Sequence, residues 1–249
     1  MSEKKLTILI PAHNEEEIIE KTITIFNQYL KKENIPHEIL VINDHSNDNT
    51  EQILIKLKEQ IPELNYINNN YSRGFGSTIT KGLRNFQGDY LAIVMADLSD
   101  HPEDIKNFYH EMNKGYDCVF GSRFIKGGKT IDYPPHKLIL NRLANIMIKT
   151  LFGIKYNDTT NACKMYRKET IKGLEPFLSK HFNLTVELPL KAIVRGYSYS
   201  VLPNRWKNRT TGIAKFKVKE MGSRYFFIIF YCLFEKWLSQ GDYRKENGG

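Results

Sequence analysis

With 249 residues, 41% hydrophobic and 26% charged, the chain has an ordinary globular composition and can bury a sizeable core without disulfide or metal staples. Cys118, Cys163 and Cys232 stand far apart with no CxxC spacing, which argues against a disulfide framework or a zinc site and fits a reduced, cytosolic setting. The net charge of +8 is matched by one stretch: between Leu188 and Lys219 lie eight basic residues (Lys191, Arg195, Arg205, Lys207, Arg209, Lys215, Lys217, Lys219) and no acid, which points to an anionic partner such as nucleic acid, a phosphorylated substrate or a membrane surface.

Met1 to Lys5 leads straight into a strand, Leu6 to Ile10, without the apolar stretch of a secretory signal. Pro11-Ala12-His13-Asn14 closes that strand. Asn14, with Glu17 three residues on, reads as a capping box for a helix striped by Ile18, Ile19, Thr22, Ile23, Phe26, Tyr29 and Leu30. Glu38 to Ile42 is the next strand, and the polar loop from Asn43 to Asn49 leads into a helix with Ile53, Leu54, Leu57 and Ile61 inward. Asp48 reads as a helix-start residue. Leu64 to Ile67 makes a third strand, and the turn from Ser72 to Ser77 precedes a helix to about Phe86.

The stretch that organises the chain comes next: Tyr90 to Ala96 is an apolar run that ends abruptly in Asp97-Leu98-Ser99-Asp100-His101-Pro102. The run is too short for a buried helix and suits a central strand covered on both faces. A carboxylate at such a strand end lies where open α/β sheets do chemistry. Pro102-Glu103-Asp104 starts a helix with Ile105, Phe108, Tyr109 and Met112 facing the core; capping that helix is the competing role for Asp97 and Asp100. Asp117 to Phe120 is a further strand, ending in Gly121-Ser122-Arg123. The alternation predicts an α/β fold with a largely parallel sheet.

From Gly127 the character changes. Gly127-Gly128 and Pro134-Pro135 bound a loop, Lys137 to Phe152 reads as a helix, and Asn157 to Lys164 is polar and turn-like. Leu184 to Val194 should be helical and Tyr199 to Leu202 a strand. Arg224 to Leu238 is a helix apolar nearly all round, but its longest apolar run, Tyr225 to Phe234, has ten residues against the roughly 20 needed to span a bilayer. It either lies on a membrane surface beside the basic segment, which interleaves Tyr199, Trp206 and Phe216, or packs on the domain or on a second copy. Recognised nucleic-acid motifs are absent. Residues 1–217 are expected to form the main domain and 218–249 an apolar, basic helical appendage and tail.

Taken in order, these motifs resemble family 2 glycosyltransferases with the GT-A fold, and among them the polyprenyl-phosphate sugar transferases of the dolichol-phosphate mannose synthase type. The resemblance covers roughly Leu6 to Lys215. Pro11-Ala12-His13-Asn14-Glu15 is similar to the family's first nucleotide-binding loop, and Val41 to Asp48 to its base-binding loop. Arg73-Gly74-Phe75-Gly76 is similar to the glycine turn near the diphosphate, and Met95 to Pro102 occupies the place of the metal-binding DAD-type motif. Gly121-Ser122-Arg123, Asp158 to Lys164 and Arg209 to Lys215 resemble the later motifs around sugar, diphosphate and acceptor phosphate.

The resemblance implies a Rossmann-type sandwich with a mostly parallel central sheet and a C-terminal amphipathic helical appendage. It implies Pro11, His13, Glu15, Asp44, Gly74 and Asp97 at a GDP- or UDP-linked sugar, with Mg²⁺ or Mn²⁺ held by Asp97 and Ser99 or water. Glu15 and Asp44 have competing local roles, as a helix cap and an Asx-turn. Arg123 and Lys164 would add positive charge at the diphosphate. Arg209 and Lys215 would position a polyprenyl phosphate, which is already ionised at neutral pH because its second pKa is about 6. The expected reaction is inverting, at the cytoplasmic membrane face, by a monomer or homo-oligomer.

An acceptor hydroxyl would instead need a carboxylate base, with Glu187 or Asp100 as candidates. Three positions depart from the family pattern: Met95 and Asn43 replace aspartates, and Lys164 replaces an arginine, keeping the charge but losing the bidentate fork. The first two departures leave room for a non-catalytic nucleotide-sugar-binding protein.

Overall fold

The computed structural model describes residues 3–208 and 218–245. Its elements in chain order are β1 (Leu6–Ala12), α1 (Ile19–Lys32), β2 (His37–Asn43), α2 (Thr50–Gln60), β3 (Leu64–Asn68), α3 (Phe75–Leu83), β4 (Tyr90–Ile93), α4 (Pro102–Met112) and β5 (Cys118–Ser122). There follow β6 (Lys129–Ile131), α5 (Pro135–Phe152), β7 (Lys164–Arg167), α6 (Lys168–Gly173), α7 (Leu184–Val194), β8 (Tyr199–Pro203), β9 (Arg205–Lys207) and α8 (Val218–Leu238).

Seven strands form one sheet in the order β3-β2-β1-β4-β7-β5-β8, and β6 pairs with β9 in a small second sheet. The β3, β2, β1 and β4 neighbours are all parallel, β8 is parallel to β5, and β7 runs antiparallel between β4 and β5. Strands β1, β2 and β4 are buried along almost their whole length, as their near-continuous apolar sequences require. Alternate residues serve two cores. Ile8, Ile10 and Val41 pack with Phe26 of α1 and Phe108 of α4, while Leu9, Leu40 and Ile42 pack with Ile79 and Leu83 of α3 and Leu188 of α7.

This topology sends one set of strand ends to a single edge. Ala12 of β1 pairs with Asn43 of β2, so both strands end level, and β4 follows β1 in parallel. Because β7 is antiparallel to both neighbours, β5 ends at the edge where β7 begins. Residues following β1, β2, β4 and β5, and those preceding β7, therefore share that edge. The chain crosses from β3 over to β4, so the strand order reverses beside β1, where open α/β sheets leave a crevice.

Several local expectations change. The capping box at Asn14 does not form: α1 starts at Ile19, and Asn14 sits at φ +53° with its Oδ1 accepting from Asn47 N at 2.8 Å. The cross-loop bond takes the oxygen that a cap would need. Neither Asp97 nor Asp100 caps α4; His101 does, its Nδ1 accepting from Glu103 N at 3.3 Å. The turn-like segment before Lys164 delivers a central strand, β7, and the glycine turn at Gly74 opens directly into α3.

Of the four basic residues of the stretch whose side chains are described, Lys191, Arg195, Arg205 and Lys207, the first three are taken up in ion pairs. Lys191 is fully buried against Glu187 at 2.7 Å, Arg195 is buried against Glu235 at 2.7 Å, and Arg205 binds both Asp104 and Glu103 at 2.8 Å. The α8 helix turns Ile228, Ile229, Cys232 and Leu233 onto Ile148 and Phe152 of α5 and Val186 and Leu190 of α7. Its other side exposes Phe226, Phe227, Phe230, Phe234 and Trp237. Among the described residues no helix is long and apolar enough to cross a membrane.

Candidate active site

Two loops at the ends of β1 and β2 are laced together by polar side chains. Asn14 N donates to Ser46 Oγ at 3.0 Å, Glu15 N to Thr50 Oγ1 at 2.9 Å and Glu16 N to Asp48 Oδ2 at 3.1 Å. Asp48 also starts α2 by accepting from Thr50 N at 3.0 Å, the role read from sequence. Pro11 and Glu15 are partly exposed beside this lacing, and the Glu15 carbonyl, which accepts from Ile18 N and Ile19 N, supplies the start of α1. His13 spans the two loops, its Nδ1 2.7 Å from the Asp44 carbonyl and its Nε2 against the Arg73 guanidinium.

Asp44 is buried and held on three sides. Its Oδ1 accepts from Asn69 Nδ2 at 2.8 Å and meets His45 Nδ1 at 3.1 Å, and its Oδ2 accepts from Gly74 N at 3.1 Å. Burial raises its pKa, yet the bonds from Asn69, His45 and Gly74 outweigh that and leave it below the ordinary aspartate value. The group is a fixed anion. Its bond to Gly74 joins the β2 loop to the glycine turn.

That turn needs its glycines. Gly74 has φ +148°, and a Cβ on it would lie 2.5 Å from the Lys180 carbonyl oxygen; a Cβ on Gly76 would lie 2.2 Å from the Ser179 carbonyl oxygen. Ser77 N donates to Lys180 O at 3.2 Å, and the Phe75 and Phe182 rings stack 4.2 Å apart. Gly76→Ala gains up to about 1 kcal/mol of helix propensity but drives a methyl into immovable backbone. A net loss of about 2–3 kcal/mol is expected, read as a lower urea midpoint.

Asp97 follows β4 at the crevice, partly exposed, with Oδ1 accepting from Ser99 N at 3.1 Å. Ser99 is buried, and its Oγ has no hydrogen-bond partner among the described residues. The loop is pinned from outside: Lys207 N donates to Ser99 O at 3.2 Å and Asp100 bridges to Trp206, so β9 holds it. The Arg205 pairs with Asp104 and Glu103 lock β9 to α4. Sequence reasoning missed this brace, whose signal was the short alternation Arg205-Trp206-Lys207.

Asp100 points inward, its Oδ2 accepting from Met95 N at 2.9 Å. Burial first, then the charge of Asp97, pushes its pKa up to about 7, against 3.8 for the free group. Between those values the folded carboxyl keeps a proton that the unfolded chain releases. Its stabilising contribution is full below pH 3.8 and lost as pH rises through about 7. Asp100→Asn should therefore flatten the fall in stability across that window, by up to about 1.4 kcal/mol per pH unit, as measured by urea unfolding with a chelator present.

Arg123 follows β5 and is nine-tenths buried. Its Nε and one terminal nitrogen donate to the two oxygens of Asp158 at 2.8 and 2.7 Å, and its backbone N donates to Asp158 at 2.9 Å. Tyr133 and Trp206 flank the guanidinium at 5.7 and 6.0 Å. Asp158, the fork's partner, opens the Asp158 to Lys164 segment, and nothing in its sequence neighbourhood names Arg123 as its partner. Lys164 lies deeper than expected: it is 1% exposed, and Nζ donates to the carbonyls of Thr159 and Thr185, each at 3.1 Å. Burial lowers its pKa to about 7. It supports the loops and presents no ammonium to the crevice.

Glu187 is not placed as a base. It is fully buried, with both oxygens accepting from the backbone of Leu178 and Ser179 at 2.8 Å and Oε1 paired with Lys191. An i,i+4 acid–base pair on a helix was the available signal. Arg209 and Lys215 lie outside the described residues. The edge thus gathers His13, Glu15, Asp44, Gly74, Asp97 and Arg123, and excludes Glu187 and the Lys164 ammonium.

Solved structures share this architecture. Glucosyl-3-phosphoglycerate synthase from Mycobacterium tuberculosis, in complex with Mn²⁺, UDP and phosphoglyceric acid, superposes with a TM-score of 0.68 at 15% identity, covering 94% of this chain and 78% of that one. The same enzyme was also crystallised with Mg²⁺ and UDP, at a TM-score of 0.67. In sequence, the polyprenol monophosphomannose synthase of Mycolicibacterium smegmatis is 28% identical over 82% of this chain and 88% of its own length. The dolichol-phosphate mannosyltransferase of Pyrococcus furiosus is 29% identical over 69% of this chain, which spans about half of that relative's length, 48%. The model of glycosyl transferase family 2 matches residues 7–174, two-thirds of the sequence and all of the crevice-forming strand ends from β1 to β7. The chain belongs to glycosyl transferase family 2 and is a glycosyltransferase.

Proposed function

We propose that the chain transfers a sugar, with inversion, from a nucleotide-linked donor to a polyprenyl phosphate at a membrane surface. The observation that carries the donor half is the convergence of Asp44, the Gly74 turn and Asp97 on one sheet edge. Asp44 accepts from the base or ribose, and the Gly74 turn brings backbone close to the diphosphate. Two sequence relatives carry names for sugar transfer to dolichol phosphate or polyprenol.

The acceptor half rests on which carboxylates are occupied. A hydroxyl acceptor needs a base, and Glu187 is fully buried and consumed by Lys191 and two backbone N–H groups, while Asp100 is only 3% exposed and turns its Oδ2 inward onto Met95 N. A phosphate monoester arrives ionised and needs none. Inversion follows from direct attack on the anomeric carbon by the acceptor oxygen, with no protein nucleophile between.

The residues fit a divalent ion. Among the described residues no cluster of three acids, histidines or cysteines could cage one, but Mg²⁺ characteristically takes one or two carboxylates and completes its shell with water and substrate phosphate. Asp97 and the orphaned Ser99 hydroxyl suit that binding mode. When bound, such an ion offsets the charge on the departing nucleoside diphosphate. Arg123, clamped by Asp158, fixes the wall beside it.

A membrane-surface location is supported by two helices. Along α5, Ile139, Leu140, Leu143 and Ile146 are exposed between Lys137, Arg142 and Lys149, with no acid on the helix, and α8, which packs on α5 through its other face, exposes Phe226, Phe227, Phe230, Phe234 and Trp237. Apolar side chains interleaved with lysine and arginine suit an anionic lipid interface.

The test incubates the protein with Mg²⁺ or Mn²⁺, labelled GDP- and UDP-sugars, and vesicles containing polyprenyl phosphate. Label in the organic phase from one donor, lost with chelator, is the expected result and names the sugar. Binding of nucleotide with no label in lipid from any donor would overturn the acceptor assignment.

A further inference from the structure

Glu187, Lys191 and Arg195 follow one another at four-residue steps along α7 and its C-terminal cap, so they share one face of the helix. All three are buried, and all three bind the backbone of the loop between α6 and α7. Glu187 accepts from Leu178 N with Oε1 and from Ser179 N with Oε2, both at 2.8 Å. Lys191 donates to the carbonyls of Leu174 and Pro176 as well as to Glu187 Oε1, and Arg195 donates to those of Gly173 and Glu175 at 2.8 and 3.0 Å. A buried ion pair is by itself a weak source of stability, since apolar side chains of similar volume often serve as well. What apolar side chains would not do is fix these backbone groups.

The backbone so fixed is the back wall of the glycine turn. The Ser179 carbonyl oxygen would lie 2.2 Å from a Cβ on Gly76, and the Lys180 carbonyl oxygen 2.5 Å from one on Gly74. Lys180 O also accepts from Ser77 N at 3.2 Å, and Phe182 stacks on Phe75 with the ring planes 11° apart. On its other side the turn is held by Asp44, whose Oδ2 accepts from Gly74 N at 3.1 Å. The turn is therefore gripped between Asp44 and the loop that Glu187 holds. Contacts between close-packed backbone segments do not compress, so a displaced loop displaces the turn.

We infer that Glu187 is a positioning residue for the nucleotide donor, setting Leu178 and Ser179 with its two oxygens and, through the Ser179 and Lys180 carbonyls, the backbone of the Gly74 turn; this rests on the donor reading of that turn given above. The role needs a carboxylate. An ionised carboxylate accepts on both oxygens, whereas a glutamine amide accepts on one side and donates on the other. Glu187→Gln keeps size and shape. Because Leu178 N and Lys191 Nζ both donate to Oε1, the amide oxygen belongs on that side, and the N–H₂ is left facing Ser179 N. Two donors then meet head-on at the residue whose carbonyl abuts Gly76. The donor diphosphate feels the shift, because misplacing a bound group by about 1 Å is enough to weaken its handling severely.

The experiment titrates UDP and GDP, each with Mg²⁺, into wild type, Glu187→Gln, Glu187→Met, Glu187→Met/Lys191→Met and Asp44→Asn, and follows urea unfolding and hydrogen exchange of the same proteins. Glu187→Gln is expected to bind the nucleotide that wild type prefers at least fivefold more weakly, and to exchange faster across both 176–183 and 74–78. The double variant removes both buried charges, so its urea midpoint should lie above that of Glu187→Met. It still leaves the Leu178 and Ser179 N–H groups without their acceptor, and should bind nucleotide as weakly as Glu187→Gln. Affinity within twofold of wild type in either folded variant would overturn the inference, as would faster exchange confined to 176–183. Turnover lost at unchanged nucleotide affinity would also overturn it and return Glu187 to the role of a base. The donor reading fails separately: neither nucleotide then binds wild type, or Asp44→Asn binds as wild type does, and the positioning role falls with it. Weaker binding by Asp44→Asn beside unchanged binding by Glu187→Gln sinks the positioning role alone.

Discussion

Replacing Asp97 by asparagine is expected to lower kcat by about 10²–10³-fold, a loss of about 3–4 kcal/mol of transition-state stabilisation. The substitution is nearly isosteric, and an asparagine Oδ1 can still accept the Ser99 N–H bond that shapes the loop. Met95 N keeps its bond to Asp100, and β9 keeps its grip on Ser99. Stability should therefore stay within about 0.5 kcal/mol of wild type. What disappears is a formal negative charge at the strand end. The thioether at position 95 is a poor ligand for a hard cation, and the nearby Asp100 carboxyl is turned inward onto Met95 N. The metal concentration for half-maximal rate should rise in parallel with the loss of kcat. Unchanged turnover and unchanged metal dependence would remove Asp97 from the mechanism.

The parts of the fold legible in the sequence are those whose signal is local. Near-continuous apolar runs marked β1, β2 and β4, and α7 spans Leu184–Val194 as its pattern indicated. Strand β7 stayed hidden because its four residues, Lys164-Met-Tyr-Arg, carry a charge at each end, and its place is set by β4 and β5, far away in the chain. The same limit governed charge. Counting eight cations on one stretch suggested a basic surface, but Arg195 finds Glu235 forty residues on, and Arg205 finds Asp104 about a hundred residues back. Sequence spacing names the charges, and only the fold names their partners.

The site follows the same division. Asp44, Gly74 and Asp97 were legible because strand ends and glycine turns announce themselves locally. The brace of β9 on the Asp97 loop and the packing of Lys180 and His181 on Gly74 were not, since each joins segments about a hundred residues apart. Lys164 illustrates the cost of reading charge without depth. A lysine in a polar, turn-like sequence suggested an exposed ammonium, whereas two carbonyls and complete burial make it a strut.

Asp158→Ala is expected to destabilise the protein by about 3–5 kcal/mol, among the largest losses for one side chain here. The carboxylate is fully buried and takes three donors from Arg123, two from the guanidinium and one from the backbone. Burial opposes the guanidinium charge, and Asp158 more than restores it, so Arg123 stays cationic in the fold. Without Asp158 that charge is left desolvated and can neither deprotonate nor reach bulk water without moving. Movement would disturb Tyr133 and Trp206, whose rings lie 4.8 Å apart against it, and through Trp206 the β9 brace on the Asp97 loop. Loss of stability and loss of turnover should therefore appear together. Urea unfolding of Asp158→Ala, Arg123→Leu and the double variant checks the cause, because removing both partners leaves no buried charge. The double variant should be more stable than Asp158→Ala by at least about 1 kcal/mol. A double variant no more stable than Asp158→Ala would mean that packing, and not the stranded guanidinium, carries the loss.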